Sequence, residues 1–249
     1  MTQSPRNYFL FLLTFVWFGL PISWAQSHSE PVVYLIPGTG GDYRLYDQLE
    51  VHGYDTVRLA WLEPEPHYQM ADMAAAMAQQ IDTTRPVVLV GVSLGGMVAS
   101  EMAELIPVDG LILISSAKTS QELPFRYRFQ KAIPLYRLIP GSVMRDATPL
   151  ARFFVEPQSF PYRKTFDAMV AEKSDNFMKQ SIRMICQWEK GSEPKVPFLQ
   201  LHGTRDHTLP YRKIAAPTPI PKGSHMMVYV RGEEVGQAMQ LWLDQQYSR

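Results

Sequence analysis

Short runs of apolar, β-branched residues alternate along this chain with longer stretches of helical patterning. The continuous runs are Val32–Ile36, Val87–Val92, 110–115 and 196–201, and residues 55–61 form a weaker one. An uninterrupted apolar run of this length predicts a strand that is buried on both faces. Because a helix has to carry the chain back between such strands, the pattern predicts an α/β fold: a mainly parallel sheet with helices on both faces.

Helical spacing is clearest in three segments. Residues 67–81 repeat methionine and alanine on one face, and residues 94–106 form a second stretch that ends before Pro107. The last segment places Val235, Met239 and Leu243 on one face together with Trp242. These segments are the expected covering helices.

Length and charge limit the class of protein. The chain has 249 residues, 24 Lys and Arg against 24 Asp and Glu, and one Cys. One globular domain of ordinary size fits this length. The charge balance argues against nucleic acid as the main partner, because phosphate binding needs a clustered basic excess. The single Cys186 excludes an internal disulfide and a metal site built from cysteines, and we expect it to be a buried small apolar residue.

The N-terminus has the pattern of a secretory signal peptide. Arg6 precedes an uncharged apolar run at residues 8–20, and Ser23 and Ala25 place small residues at −3 and −1 of a cut after Ala25. The run is shorter than the roughly 20 residues that span a bilayer as a helix. We therefore predict that residues 1–25 are removed and that the protein is exported, either to the periplasm or to the medium.

Residues 91–96, Gly-Val-Ser-Leu-Gly-Gly, lie where a predicted strand ends and a predicted helix begins. A nucleophilic serine on a tight strand-to-helix turn requires this context. We expect glycines at 91 and 95 to prevent side chains from colliding around Ser93, and the Leu94 amide to point at the space in front of it. Alternatively, Ser93 is an ordinary helix N-cap in a glycine-rich turn.

A serine hydroxyl needs a base, and that base needs a carboxylate to orient it. Asp206 follows the run at 196–201, at the carboxyl end of a predicted strand, and His225 lies 19 residues later. This order of Ser, Asp and His is the one expected for such a sheet. Asp206 could instead be a solvated turn residue and His225 a plain loop residue; His202 and His207 are alternative bases, although His202 is expected to pack in the core.

The sequence resembles the α/β-hydrolase superfamily over nearly the whole chain after the N-terminal run. Residues 91–96 (GVSLGG), 201–206 (LHGTRD), 223–225 (GSH) and 35–41 (LIPGTGG) carry the resemblance. It implies a serine hydrolase that needs no metal or organic cofactor. It also implies that the 37–41 loop supplies a second hydrogen-bond donor to the oxyanion. Thr39 stands at the position of that donor, and Gly40 is the alternative.

Residues 118–190 are predicted to form a helical cap inserted into a core of residues 26–117 and 191–249. The segment holds 13 Lys and Arg against 7 Asp and Glu. Residues 125–139 interleave aromatic residues with cations, and three interpretations remain open. The segment could be a lid with a basic face toward an anionic lipid surface or substrate, a docking site for the acidic partner of a thioesterase, or a solvated basic helix packed on the core.

The leading hypothesis from the sequence is an exported carboxylic-ester hydrolase that prefers apolar acyl groups. Ser93, His225 and Asp206 would form its catalytic triad, and the Leu94 and Thr39 amides would form its oxyanion hole. The partner would be a small ester, with contact between the basic cap and a membrane surface as a further expectation. A thioesterase, an amidase, an acyltransferase and a non-catalytic binding module of the same fold are the alternatives.

Overall fold

The computed structural model describes residues 30–147 and 163–247. Within these residues the strands form one six-stranded sheet in the order β2-β1-β3-β4-β5-β6, and every neighbouring pair is parallel. The strands are β1 (Val32–Ile36), β2 (Asp55–Arg58), β3 (Val87–Val92), β4 (Gly110–Ile114), β5 (Phe198–Gly203) and β6 (Thr218–Ile220). The predicted fold class, a parallel sheet with helices packed on it, is confirmed.

The helices connect successive strands or follow the last one. They are α1 (Met70–Ala78), α2 (Leu94–Met102), α3 (Phe125–Ala132), α4 (Arg163–Ala171), α5 (Asp175–Gln187), α6 (Met227–Val230) and α7 (Gly232–Tyr247). Residues 141–147 are helical as well. None of the helices in the described parts of the chain is long and apolar enough to span a bilayer.

Alternate side chains of the central strands enter two separate cores. Val87 and Leu89 of β3 pack with α1 and α2 on one face, whereas Val88, Val90 and Val92 pack with α7 on the other. This alternation is the ordinary consequence of strand geometry. Since both faces are covered, β3 has to be apolar throughout, which is why its sequence predicts it so clearly.

Strand and helix boundaries follow the predictions most closely at the centre of the sheet. Strands β1 and β3 have the predicted bounds, and β4 ends one residue earlier, at Ile114. Strand β2 is shorter than predicted, and all four of its residues are exposed, as an edge strand allows. Strand β5 begins and ends two residues later than the run at 196–201.

Sequence analysis missed β6, the opposite edge strand. Thr218, Pro219 and Ile220 pair with the end of β5 from Leu201 to Gly203. Three residues that include a proline give no strand pattern, and a proline is tolerated because this strand is at the edge. Between β5 and β6 the chain forms only a short 3₁₀ helix, Tyr211–Lys213.

Helices α3, α4 and α5 lie within residues 118–190, which we call the cap segment. Apolar side chains of α5, including Phe177, Met184 and Ile185, are buried. After α5, Trp188 Nε1 donates a 2.7 Å hydrogen bond to Glu101 Oε1 of α2. The cap segment thus packs on the core through α5. The predicted domain boundaries at 117/118 and 190/191 stay predictions, and residues 1–25 lie outside the described residues.

Candidate active site

Ser93 lies in a strained turn between β3 and α2. Its backbone has φ 53° and ψ −120°, in the left-handed range of φ that residues with a side chain rarely adopt. Although Ser93 occupies the N-cap position of α2, its side chain accepts no hydrogen bond from the helix. The N-cap alternative is therefore wrong, and the hydroxyl is available for another partner.

The glycines around Ser93 allow backbone segments to approach closely. A Cβ at Gly91 would lie 2.4 Å from the carbonyl carbon of Gly95, and a Cβ at Gly95 would lie 2.4 Å from the carbonyl oxygens of Ile36 and Pro37. The predicted collision around the serine is thus correct for position 91. A side chain at position 95 would instead collide with the loop after β1, so glycine is needed there for that loop to approach.

His225 is the partner of Ser93. Its Nε2 atom lies 3.0 Å from Ser93 Oγ, and its Nδ1 atom lies 2.8 Å from Asp206 Oδ2. Because a carboxylate oxygen can only accept, the Nδ1 proton faces Asp206 and Nε2 is left to accept the hydrogen bond from the Ser93 hydroxyl. The structure therefore brings together three side chains that are distant in sequence, in the order hydroxyl, imidazole and carboxylate.

Asp206 is held by four hydrogen-bond donors. Its Oδ1 atom accepts from the backbone N–H groups of Thr208 and Leu209, each at 2.8 Å. Its Oδ2 atom lies near His225 Nδ1 and, at 3.2 Å, near His202 Nε2. Burial raises the pKa of Asp206, but the charge of His225 and the hydrogen bonds from both histidines outweigh it and hold the pKa below its usual range. Asp206 is therefore an ionised residue of the interior, and the interpretation as a solvated turn aspartate is wrong.

Backbone contacts between the end of β5 and the following turn bring His225 to Asp206. A Cβ at Gly203 would lie 2.3 Å from the carbonyl oxygen of Gly223, and that oxygen accepts a 2.8 Å hydrogen bond from Arg205 N–H. Glycine at position 203 thus permits a contact that any side chain would prevent. The contact fixes the loop that carries His225 beside the loop that carries Asp206.

The other histidines near Asp206 do not contact Ser93. His202 is fully buried, and its Nε2 atom lies 2.7 Å from the Leu209 carbonyl oxygen, to which it donates. This agrees with the prediction that His202 packs in the core, but the contact with Asp206 was not foreseen. His207 is exposed and forms no side-chain contact with the triad. Of the alternative bases, neither is positioned to accept the serine proton.

The loop after β1 faces the serine. A Cβ at Gly38 would lie 3.3 Å from Ser93 Cβ, so the loop lies against the nucleophile position. Among the described residues, no backbone carbonyl accepts from the N–H groups of Thr39 or Leu94. Neither amide is therefore used by a backbone carbonyl of the described residues, as an oxyanion donor requires. The assignment of Thr39 and Leu94 as oxyanion donors stays a prediction.

Three side chains that sequence analysis did not single out support these loops. Tyr46 Oη donates to the Ile36 carbonyl oxygen at 2.6 Å, and Trp61 Nε1 donates to the Gly38 carbonyl oxygen at 3.2 Å. Ser116 Oγ donates to the carbonyl oxygen of Ser93 at 2.6 Å. Each contact joins residues that are far apart in sequence or lie in irregular loops, so the chain contains no periodic signal for it.

A cavity of about 380 Å³ opens beside the serine and histidine. Its described lining is mainly apolar and comes from both the core and the cap segment, and no Lys, Arg, Asp or Glu side chain belongs to it. Its main apolar side chains are Leu45, Val92, Ile139, Met144, Phe166, Met178, Ile182, Ile185 and Met226. The polar groups in the lining include Thr39, Tyr127, Gln130 and Thr208. A neutral, largely apolar ligand fits these walls.

The cations of the cap segment lie outside this cavity. Arg126 donates to the carbonyl oxygen of Thr208, Lys131 pairs with Glu189, and Arg145 pairs with Asp175. The described walls of the cavity therefore provide no cation for an anionic substrate. The structure therefore does not support the interpretation in which the basic face of the cap binds an anionic substrate inside this cavity.

A comparison with models of known families gives a match over most of the chain. A family model described as "Alpha/beta hydrolase family" matches residues 32–238. The chain belongs to the alpha/beta hydrolase family. No curated protein matches it in sequence.

Among the described residues, no group of three or more His, Cys, Asp or Glu side chains could hold a metal ion.

Solved structures share the fold of this family member at low sequence identity. A thermophilic esterase from Thermogutta terrifontis is 19% identical, with a TM-score of 0.66 over 88% of this chain and 92% of that one. A hydrolase from Pseudomonas aeruginosa is 16% identical, with a TM-score of 0.65 over 88% and 91%. A bacterial membrane phospholipase A is 23% identical, with a TM-score of 0.64 over 88% and 80%. These similarities indicate the fold, and the family assignment indicates a hydrolase.

Proposed function

We propose that this protein is an exported serine hydrolase that cleaves carboxylic esters through an acyl-enzyme formed on Ser93. The observation that carries the proposal is the continuous hydrogen-bonded chain from Ser93 Oγ through His225 to Asp206, with distances of 3.0 and 2.8 Å. Such a chain allows a base to accept the serine proton while a carboxylate stabilises the resulting imidazolium.

The reaction would proceed in two acyl transfers. His225 Nε2 accepts the proton of Ser93 as Oγ attacks the ester carbonyl, and the negative oxygen that forms accepts hydrogen bonds from the Thr39 and Leu94 amides. Each such donor is worth roughly 10² to 10³ in rate. His225 then gives its proton to the leaving alcohol. In the second half, His225 deprotonates a water molecule that releases the acid and restores the Ser93 hydroxyl.

The cavity supports a preference for apolar acyl groups. Phe166, Met178 and Ile182 lie in the lining contributed by the cap segment, and the described lining contains no Lys or Arg to bind a charged acyl chain. Burying an alkyl chain against such walls contributes roughly 0.8 kcal/mol per methylene group. We therefore expect turnover to improve with acyl length until the cavity is filled.

Turnover of p-nitrophenyl acetate, butyrate, octanoate and palmitate by the purified protein tests the proposal. Ser93→Ala should lower kcat by roughly 10⁴-fold or more, as for other serine hydrolases. Ser100→Ala is the matched control, since Ser100 is buried in α2, the helix that follows Ser93, and its hydroxyl donates to the Gly96 carbonyl. Undiminished hydrolysis by Ser93→Ala would refute the mechanism.

The same triad could serve other acyl transfers. Parallel assays with p-nitroanilides, acyl thioesters and an added alcohol acceptor distinguish an esterase from an amidase, a thioesterase and an acyltransferase. A fluorophosphonate probe should label the protein at Ser93. Absence of both labelling and turnover would instead indicate a non-catalytic binding module.

Export is the remaining part of the proposal. It is supported by the apolar run at residues 8–20 and by the small residues Ser23 and Ala25. N-terminal sequencing of the protein from cell fractions should give Gln26 as the first residue, in the periplasm or the medium. An intact N-terminus in the cytoplasm would contradict this part alone.

A further inference from the structure

The outer side of the cap segment exposes an unusual concentration of large apolar side chains. Of the twelve exposed large hydrophobic residues in the described parts of the chain, seven lie between residues 125 and 143. Leu138 is 81% exposed and Phe125 is 67% exposed. We define the apolar patch as Phe125, Phe129, Ile133, Leu135, Leu138 and Val143. A concentration of this kind indicates a surface that contacts something.

The apolar patch begins on one face of α3 and continues into the next turn. The Phe125 and Phe129 rings, one helical turn apart, have centroids 5.6 Å from each other. Ile133 N–H then donates to the Phe129 carbonyl, and Leu135 N–H donates to the Ile133 carbonyl. No residue of α3 is fully buried. The apolar side chains of the patch are therefore exposed along one stretch of chain that starts in α3.

Three of the cations beside the apolar patch have no acidic partner among the described residues. No Asp or Glu occurs between Glu122 and Asp146. Within the described residues no carboxylate pairs with Arg126, Arg128 or Arg137, and Arg126 bonds only to uncharged groups. The apolar patch thus lies beside three arginines with which no carboxylate of the described residues pairs.

We propose that the apolar patch docks on an anionic lipid surface. Apolar and aromatic side chains enter the headgroup region while flanking arginines bind the acidic lipids. A second copy of this chain fits poorly, because a two-fold contact would place the patch on itself and oppose its own arginines. An anionic lipid surface offers an apolar environment to the exposed side chains of the patch and negative charge to the arginines beside it.

Docking would also bring the cavity close to the lipid. Tyr127, Gln130 and Tyr136 come from the same stretch of chain as the apolar patch, yet they line the cavity beside Ser93. The stretch therefore has one side toward the cavity and one toward solvent. If the proposed ester hydrolysis is correct, the substrates are esters that partition into membranes; the docking itself does not depend on that activity.

Co-sedimentation with vesicles tests the docking. The purified protein should sediment with vesicles of phosphatidylglycerol and phosphatidylcholine at least about tenfold more than with phosphatidylcholine alone, and high salt should weaken binding. Arg128→Gln and Arg137→Gln should each lower the partition coefficient about fivefold. Arg128→Lys and Arg137→Lys keep the charge and should keep the binding. All proteins share one N-terminus, so the differences between them report the cap segment.

A double variant tests the apolar part, and two single variants are controls for the loss of an exposed apolar residue and of an exposed cation. Phe125→Ser with Leu138→Ser should lower the partition coefficient roughly tenfold or more. Leu241→Ser removes an exposed leucine from α7, and Lys195→Gln removes an exposed cation next to β5; both should bind within about twofold of the parent. Hydrolysis of a water-soluble ester, the readout of the proposed function, should be equal in all of them.

Four results would overturn the docking proposal. Three of them are no sedimentation with either vesicle, equal sedimentation with both, and anionic-vesicle binding that the cap variants leave unchanged. A concentration-dependent dimer that Phe125→Ser dissociates would assign the apolar patch to a second copy and would also overturn it. Failure of ester hydrolysis with intact vesicle binding would refute the proposed function only.

Discussion

His202 Nε2 lies 3.2 Å from Asp206 Oδ2, the same oxygen that faces His225. His202 is fully buried, and its Nδ1 atom has no hydrogen-bond partner among the described residues. A ring that carries a proton on Nε2 fits these surroundings, because that proton can be shared between Asp206 and the Leu209 carbonyl oxygen. His202 thus helps to fix the carboxylate that orients His225.

The first prediction concerns His202 as a positioning residue. His202→Leu should lower kcat for a soluble ester about 10- to 100-fold with little change in KM, since a hydrogen bond to a charged group contributes about 1.5–3 kcal/mol. His202→Gln can place an amide N–H near the position of Nε2 and should recover part of the rate. Steady-state kinetics across pH provide the measurement. Equal losses in both variants with an unchanged pH profile would mean that His202 only fills space.

The second prediction concerns Gly95. Gly95→Ala would place a Cβ 2.4 Å from the Ile36 and Pro37 carbonyl oxygens, so the turn at Ser93 or the loop after β1 has to move. We expect a loss of about 1–3 kcal/mol in the free energy of unfolding, typical of overpacking, and little remaining ester hydrolysis. Urea denaturation and kinetics measure the two effects.

Gly191→Ala is the control for Gly95→Ala. Gly191 is exposed, and nothing lies within 4 Å of a Cβ built on it. This variant should match the parent in stability and in turnover. If Gly95→Ala behaves in the same way, the contact between the two loops does not constrain the serine.

The third prediction concerns stability at acid pH. The pKa of Asp206 is held below its usual range, so the folded state binds this proton less readily than the unfolded state, where a carboxyl titrates near pH 4. The stabilisation from ionised Asp206 is therefore complete above about pH 4 and is lost as the pH falls through the folded pKa.

Urea denaturation between neutral and acid pH tests this dependence. The free energy of unfolding of Asp206→Asn should fall less steeply below about pH 4 than that of the parent. Glu65→Gln removes an exposed carboxylate outside the histidine network and should keep the steep fall. Parallel curves for Asp206→Asn and the parent would contradict the prediction.

The fourth prediction concerns the single cysteine. Cys186 is 3% exposed in α5, and burial raises the pKa of its thiol to about 11. Because the thiolate is the reactive form, iodoacetamide at pH 8 should leave the native protein unmodified and label it fully in urea. Mass spectrometry gives the extent of labelling. Rapid labelling without urea would show that α5 opens in the native state.

The centre of the fold could be predicted from the sequence because its constraints are local. Strands β1 and β3 are covered on both sides, so each is apolar throughout and its bounds are visible. Ser93 was predicted because the turn requires glycine at fixed offsets. Asp206 and His225 were predicted from their order and their positions after β5, and the structure brings their side chains together with Ser93. Their catalytic role remains to be tested.

The features that were missed depend on contacts between distant segments. Strand β6 has three residues, one of them a proline, and it exists only because the end of β5 offers it partners. The contact of His202 with Asp206 depends on how residues 203–209 fold back toward the strand. The role of Gly95 depends on the loop after β1, more than fifty residues earlier in the sequence. None of these contacts leaves a periodic pattern.

The close approach of Gly95 to Ile36 and Pro37 binds the nucleophile and the facing loop into a single backbone unit. Met178 and Ile182 of the cap segment line the cavity and are absent from that contact. Exchanging these cap side chains should therefore alter which esters are accepted while the reacting atoms keep their places. On the proposed function, substrate choice and bond cleavage would depend on parts of the chain that can vary independently.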